Sequence, residues 1–243
     1  MKICVIGDVH SNLPALDAVL EHAGVADQFW CVGDLVGYGP YPSECVKLVS
    51  EKVTFCVAGN HDLGSIGKIS LADFNPIARI ACVWNGNKLD GSEKEYLKSL
   101  PLIIEHEGVR IVHGSLRDPI WEYILSGTEA MGSLSKMEEG EICFHGHSHV
   151  PAIFSLMEGK LQLFAPVVDG QFFEFSNKGR YLVNVGSVGQ PRDSDPRACY
   201  VVFNPDDRTA IYHRVAYPIE VVQAKMDDEG LPGVLSARLS FGE

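Results

Sequence analysis

Near its start the chain repeats one pattern three times: a short apolar, β-branched run that stops at a glycine followed by a polar residue. Residues 2–6 end at Gly7-Asp8, residues 29–32 at Gly33-Asp34, and residues 53–58 at Gly59-Asn60. Buried strands read in this way. What lies between them reads as helix. Asn12 is placed to cap the first, with Pro14 in its opening turn and Gly24 near its end. Leu13, Leu16, Val19 and Leu20 would form the face that buries against a sheet. The stiff loop Tyr38-Gly39-Pro40-Tyr41-Pro42 leads into a second helix over residues 43–50. Strand, helix, strand, helix, strand is the signature of right-handed crossovers and a largely parallel sheet.

Further along, Asp73 or Asn75 can cap a long helix with Pro76 in its first turn, and Ile77, Ile80, Ala81 and Trp84 recur at helical spacing as its core face. A short helix over residues 93–99 precedes the runs 102–105 and 109–112, which flank His106-Glu107-Gly108 as a hairpin. From residue 141 short strands alternate with turns, at 141–144, 151–156, 161–165, 172–175, 181–185, 198–203 and 209–215, before helices over 218–228 and 232–239. No linker or repeat divides the chain, so residues 1–243 are expected to form one domain with two stacked sheets between helices. Hydrophobic residues make up 46% of it, enough for a sizeable core.

Metal-capable residues fall at one kind of place. Asp8 and His10 follow the first strand, Asp34 the second, and Asn60 with His61 the third. His113 ends the run 109–112, and His147 with His149 follow Ile142-Cys143-Phe144 in the cluster His145-Gly146-His147-Ser148-His149. Open α/β sheets bind ligands at the carboxyl ends of their strands. Unrelated surface residues would have no reason to choose that edge repeatedly. Asp8, His10, Asp34, Asn60, His113, His147 and His149 are too many ligands for one ion, whereas an aspartate can bridge two ions about 3.5–4 Å apart. Imidazole mixed with oxygen donors, and no cysteine, points to manganese, iron, zinc, cobalt or nickel rather than calcium. Such a pair lowers the pKa of bound water to about 7 and clamps a phosphoryl group for in-line attack.

These blocks, Asp8-Val9-His10, Gly33-Asp34, Gly59-Asn60-His61-Asp62, His113-Gly114 and Gly146-His147-Ser148-His149, resemble in order those of the calcineurin-like metallophosphoesterases. The resemblance implies an α/β fold, a four-layer α/β/β/α sandwich of two stacked mixed sheets flanked by helices. It assigns Asp8, His10 and His149 to one divalent metal ion, Asn60, His113 and His147 to a second, and Asp34 to the bridge, with manganese first among the candidates. His61 matches the family's unliganded histidine, which stabilises the transition state or protonates the leaving group. Asp62 could orient His61 by accepting a hydrogen bond. Gly37-Tyr38-Gly39-Pro40, Asn75-Pro76, Trp84 and the block 184–193 resemble one prokaryotic branch, predicted phosphodiesterases related to diadenosine tetraphosphatase. In that branch the Asn184 block reads Asn-Pro-Gly-Ser; Val185 stands here in the proline's place, which removes its rigidity.

The implied activity is a phosphodiesterase or phosphatase acting through a metal-bound hydroxide on a small phosphorylated or nucleotide-type substrate. Arg192 is a candidate substrate contact, because a planar guanidinium matches phosphate geometry. Trp121 and Tyr123 could stack on a base or simply pack, and His145 falls outside the ligand pattern, as a supporting or surface residue. His22, His106 and His213 have no motif around them. Two rival readings are a non-catalytic protein-binding scaffold on the same fold, against which all seven ligands and His61 argue, and a nuclease. A formal net charge of −12 makes nucleic acid an unlikely partner, though bound cations can still dominate the local field at a small phosphorylated substrate. An odd set of seven cysteines without a CxxC pair suggests reduced, buried thiols in a cytoplasmic protein. The N-terminal run is too short for a signal peptide or a membrane span.

Overall fold

A computed structural model describes residues 1–243. β1 (Ile3–Ile6) leads to α1 (Leu13–Ala23), where the Asn12 side chain accepts from the Ala15 amide and Gly24 closes the helix. β2 (Gln28–Cys31), α2 (Pro42–Lys52), β3 (Phe55–Cys56) and a short α3 (Asn60–Ser65) follow. α4 (Pro76–Lys88), capped by Asn75, and α5 (Gly91–Ser99) come before the hairpin of β4 (Ile103–His106) and β5 (Val109–Val112). Its turn places Glu107 and Gly108 both at positive φ, 49° and 78°, as a two-residue hairpin connection requires. Then come α6 (Gly127–Leu134), β6 (Ile142–His145), β7 (Ala152–Met157), β8 (Lys160–Phe164), β9 (Phe172–Glu174), β10 (Gly179–Asn184), β11 (Ala198–Asn204), β12 (Thr209–Val215), α7 (Ile219–Asp228) and α8 (Gly233–Arg238).

Twelve strands form two six-stranded mixed sheets, β3-β2-β1-β11-β12-β9 and β4-β5-β6-β10-β7-β8. β1, β2 and β3 run parallel, as do β5, β6 and β10, and the other pairings are antiparallel. Period-two alternation sorts their side chains into three separate apolar layers. In β1, Ile3 and Val5 face the inter-sheet core, while Cys4 and Ile6 face the helices. In β6 and β10, Ile142, Phe144, Tyr181 and Val183 fill the same inter-sheet core, while Cys143 and Leu182 pack towards α6. Helices, sheet, sheet and helix are thus four layers, the α/β/β/α sandwich expected. No helix is long and apolar enough to cross a membrane.

Three details differ from expectation. The third strand shrinks to two residues: the Val57 amide makes the last bond to β2, to Cys31 O at 3.2 Å, and the Ala58 amide turns instead to the Pro101 carbonyl at 2.9 Å. On α4 the buried face is Ala78, Ala81, Cys82, Asn85 and Gly86, whereas Ile77, Ile80 and Val83 are exposed and Trp84 is half-buried. A Cβ at Gly86 would collide with the Ser65 carbonyl, so this helix docks closely on α3 through small residues rather than large ones. Helix α6 was not anticipated; it opens on a capping box in which Ser126 and Glu129 satisfy each other's backbone amides.

Candidate metal centre

All seven candidate ligands converge in one buried pocket at the carboxyl ends of β1, β2, β5 and β6 and at the start of α3, none more than 4% exposed. The loops pair onward past the strands. Asp8 N donates to Gly33 O at 3.0 Å, His10 N to Asp34 O at 3.0 Å and Gly146 N to His113 O at 3.0 Å. Five of the seven, Asp8, His10, Asp34, His147 and His149, hold φ between 47° and 67°. This left-handed region costs about 1–3 kcal/mol for a non-glycine residue and persists where the surroundings over-determine it. Asn184 helps to do so: its Nδ2 donates to Gly146 O at 2.8 Å and to Ser148 Oγ at 2.9 Å. Ser187 Oγ donates to Asp8 O at 2.8 Å. Val185, in the proline's place, uses the amide a proline would lack, donating to His145 O at 2.9 Å.

Asp34 stands in the middle. Its Oδ1 accepts from the His61 amide at 2.8 Å, and its Oδ2 lies 3.6 Å from His10 Nε2 and 3.3 Å from His113 Nε2. On one side, His10 Nε2 meets His149 Nε2 at 3.0 Å, with Asp8 Oδ1 3.4 Å from His149 Nε2. On the other, His113 Nε2 lies 3.0 Å from Asn60 Oδ1 and 3.1 Å from His147 Nδ1. A ring nitrogen of His61 also comes within 4.8 Å of ligand atoms of His10 and Asp34.

The tautomers show what this cluster demands. His10 Nδ1 donates to Val36 O at 3.0 Å and His149 Nδ1 to Gln190 O at 2.6 Å. Burial pushes both imidazoles far below their ordinary pKa, so both are neutral and their Nε2 lone pairs face each other. His147, lowered to about 3 by burial, donates Nε2–H to Trp121 O at 3.2 Å and turns its Nδ1 lone pair towards His113. Burial would lower His113 too, but the Asp34 carboxylate outweighs it and raises the ring to about 9. Burial pushes Asp34 up as well, yet the neighbouring imidazoles, His113 first, hold it well below the carboxylate range. For Asp8 burial wins, with Asp34 adding to it, and the carboxyl rises to about 7. Unopposed lone pairs, a buried carboxylate and a captured proton all call for positive charge. The residues fit divalent cations.

His61 differs from the ligands. Burial lowers it to about 4, and its Nδ1 meets Cys82 Sγ at 3.2 Å rather than a carboxylate. Asp62 does not orient it: that carboxylate takes the amides of Leu35 at 2.8 Å, Val36 at 3.1 Å and Gly59 at 2.9 Å. These three backbone donors engage both of its oxygens, and no hydrogen bond joins it to the His61 ring, so Asp62 shapes the loop under Asp34 instead. Gly37, at φ 96°, gives His61 its room, since a Cβ there would strike Nδ1. Around the rim, Phe74 packs edge-on to His61 and to Trp121, and Tyr123 stacks on His147 at 3.8 Å between ring centroids. His145 is buried behind the site, its Nδ1 3.4 Å from Asn184 Nδ2. His22 and His213 pack with Tyr200, and His106 packs against Phe55, all away from the ligand cluster. Sequence reasoning missed Cys82 and Asn85. The latter accepts from Ser11 Oγ at 2.5 Å and from Gly37 N at 3.0 Å, and its only signal was a polar residue on a helix face otherwise small and apolar.

Clusters of candidate metal ligands at the strand ends of an α/β/β/α sandwich are in keeping with one class, metal-dependent phosphoesterases. Residues 1–208 match the calcineurin-like phosphoesterase superfamily domain, and the chain belongs to that superfamily. It is similar along its whole length to a crystal structure of a metallophosphoesterase from Sphaerobacter thermophilus, with TM-score 0.89, 44% identity and coverage of 100% of this chain and 99% of that one. It is 39% identical to the uncharacterized protein MJ0912 of Methanocaldococcus jannaschii, over 99% of this chain and 98% of that protein. A partial likeness, 30% identity over 50% of this chain and 47% of the relative, links it to a symmetrical bis(5'-nucleosyl)-tetraphosphatase of Vibrio campbellii. All seven cysteines are buried free thiols.

Proposed function

We propose that the chain is a dinuclear-metal phosphoester hydrolase acting on a small, nucleotide-type substrate. The observation that carries the reading is the convergence of buried imidazole nitrogens from four histidines on both sides of Asp34 Oδ2. Asp8, His10 and His149 would hold one divalent ion and Asn60, His113 and His147 the other, with Asp34 shared and manganese the first candidate. Such a pair supplies a nucleophile at neutral pH and neutralises charge on the phosphoryl oxygens. The chain's own groups do the rest. Backbone carbonyls fix the four ligand imidazoles, so a phosphate meets a rigid site. His61, with Nδ1 against the Cys82 thiol, has Nε2 left to hydrogen-bond the leaving side. Arg192, whose Nη2 meets the hydroxyl of Tyr38 beside His10 and His61, would offer its guanidinium to a phosphate oxygen. The nucleotide preference is supported by the Vibrio campbellii relative, whose name specifies a dinucleoside tetraphosphate.

Chelation is expected to abolish hydrolysis of a chromogenic phosphoester, and Mn²⁺ to restore it. Turnover that persists in protein shown by elemental analysis to be metal-free overturns the proposal.

A further inference from the structure

Seven of the nine arginines have ordinary partners. Arg110, Arg117, Arg197 and Arg214 pair with carboxylates, and Arg79, Arg180 and Arg208 donate to backbone carbonyls. Arg192 and Arg238 do neither with their side chains. Arg192 follows the Asn184 block, and Arg238 closes α8, far apart in sequence, yet both guanidinium groups sit on one ring. Arg192 Cζ lies 5.6 Å and Arg238 Cζ 5.9 Å from the Tyr38 centroid. They also share one neutral acceptor, Gln190 Oε1, at 2.9 Å from Arg192 Nη2 and 3.4 Å from Arg238 Nη1. Arg192 Nη2 reaches the Tyr38 hydroxyl as well, at 3.3 Å. The carboxylate next to Arg192 is already taken, since Asp193 is ion-paired with buried Arg214.

Two half-buried cations with one uncharged acceptor between them are an unfavourable arrangement in isolation. Arg192 Nε is buried without any partner, and so is the Nε2 of Gln190, a residue 1% exposed. The donors of this corner outnumber its acceptors, and an anion would reverse the imbalance. The corner adjoins the metal pocket: the Tyr38 ring lies 4.6 Å from that of His10 and 4.4 Å from that of His61.

We propose that Arg192 and Arg238, gathered on Tyr38 and Gln190, form a second anion subsite that receives a phosphoryl group of the substrate other than the one being cleaved. The planar fork of each guanidinium suits a tetrahedral phosphate with several oxygens. This rests on the hydrolase reading of the neighbouring pocket and extends it: the substrate carries at least two phosphoryl groups, and Arg238 is the residue that distinguishes it from a simple monoester or diester.

The test uses the Mn²⁺-saturated full chain and two non-hydrolysable probes, orthophosphate and methylenediphosphonate, titrated by calorimetry with metal content checked in every sample. Arg238→Gln is expected to weaken methylenediphosphonate about 10- to 100-fold, the loss of a charged hydrogen-bond donor, with a much smaller effect on orthophosphate. Arg238→Lys should restore part of the difference, because the charge returns without the fork. Equal weakening of both probes, or no weakening of either, in a protein that melts like the parent overturns the subsite. Failure of the two readings is separable. A chain that prefers the diphosphonate through Arg238 but hydrolyses nothing keeps the subsite and loses the hydrolase; one that hydrolyses nitrophenyl esters but shows no Arg238-dependent preference does the reverse.

Discussion

The four candidate ligand imidazoles and His61 lie within one cluster, but the protein holds them differently. Each ligand ring has one nitrogen tied to a backbone carbonyl: His10 to Val36, His113 to Val32, His147 to Trp121 and His149 to Gln190. A carbonyl only accepts, so it dictates the tautomer and leaves the other nitrogen to face inward. His61 instead rests against the Cys82 thiol, among the rings of His10, Tyr38 and Phe74. Sulfur can weakly donate or accept, so this contact does not dictate where the proton sits. The contrast fits the two tasks proposed for these rings. Fixed lone pairs suit holding a cation, and a ring free to exchange a proton suits handling the leaving group.

The largest expected effect comes from removing what the ligand side is built around. Asp34→Asn should strip both ions and bring hydrolysis to background, because Oδ2 faces His10 and His113 together. Asn60→Ala should empty one site preferentially. Metal stoichiometry measured on the purified variants decides this. Two ions retained in Asp34→Asn, with near-normal turnover, would remove Asp34 from the bridge and with it the division into two sets.

His61→Ala should behave oppositely, keeping metal content and melting temperature while kcat falls about 10²–10⁴-fold, as for loss of a positioned proton donor. The fall should be steeper for alkoxide leaving groups than for nitrophenolate, which departs without protonation. Equal losses on both would favour electrostatic stabilisation over proton transfer. Loss of metal in proportion to activity would erase the contrast, making His61 one more ligand.

How much of this was legible in the sequence follows the range of the forces involved. The sandwich and the order of the ligand blocks came through, because strand periodicity, Gly-Asp breaks and capping residues are local. The face of α4 did not: Ile77 and Ile80 read as core by hydrophobicity, but docking on α3 selected Ala78, Ala81 and Cys82 by size. Asp62 was misread for a similar reason. Adjacency to His61 suggested a carboxylate–histidine pair, while its true partners, the amides of Leu35, Val36 and Gly59, are set by how two loops meet. Cys82 reaches His61 only through tertiary packing, and no local pattern announces it.

A smaller effect sharpens the ligand side. His113 stands apart from the other three ligand rings because, without metal, Asp34 overcomes burial and raises it to about 9. It therefore holds a proton at neutral pH, and a cation taking its Nε2 must displace that proton. Metal titrations at about pH 7.5, run in buffers of different ionisation enthalpy, should show release approaching one proton from this ring, fading above about pH 10 where it is already deprotonated. Release that does not fall with rising pH would mean that His113 enters the cluster neutral, like its neighbours.

The smallest expected effect tests whether the thiol matters at all to His61. Cys82 is fully buried on α4, and burial pushes its pKa up to about 12, so it stays protonated and acts as a hydrogen-bonding group rather than a nucleophile. Cys82→Ala removes the partner of Nδ1 without touching a ligand, and should lower kcat by a few-fold to about tenfold, the scale of one neutral hydrogen bond. Metal content should not change. Cys82→Ser keeps a donor and acceptor in place and should recover most of the loss, which a packing defect alone would not. The pH profile supplies the second readout: if the thiol tunes the ring, Cys82→Ala should shift a limb of the kcat profile that Cys82→Ser restores. A Cys82→Ala enzyme with unaltered kcat and pH profile would show that ring packing alone holds His61, and the difference between the two kinds of imidazole would then reduce to the presence or absence of a backbone carbonyl.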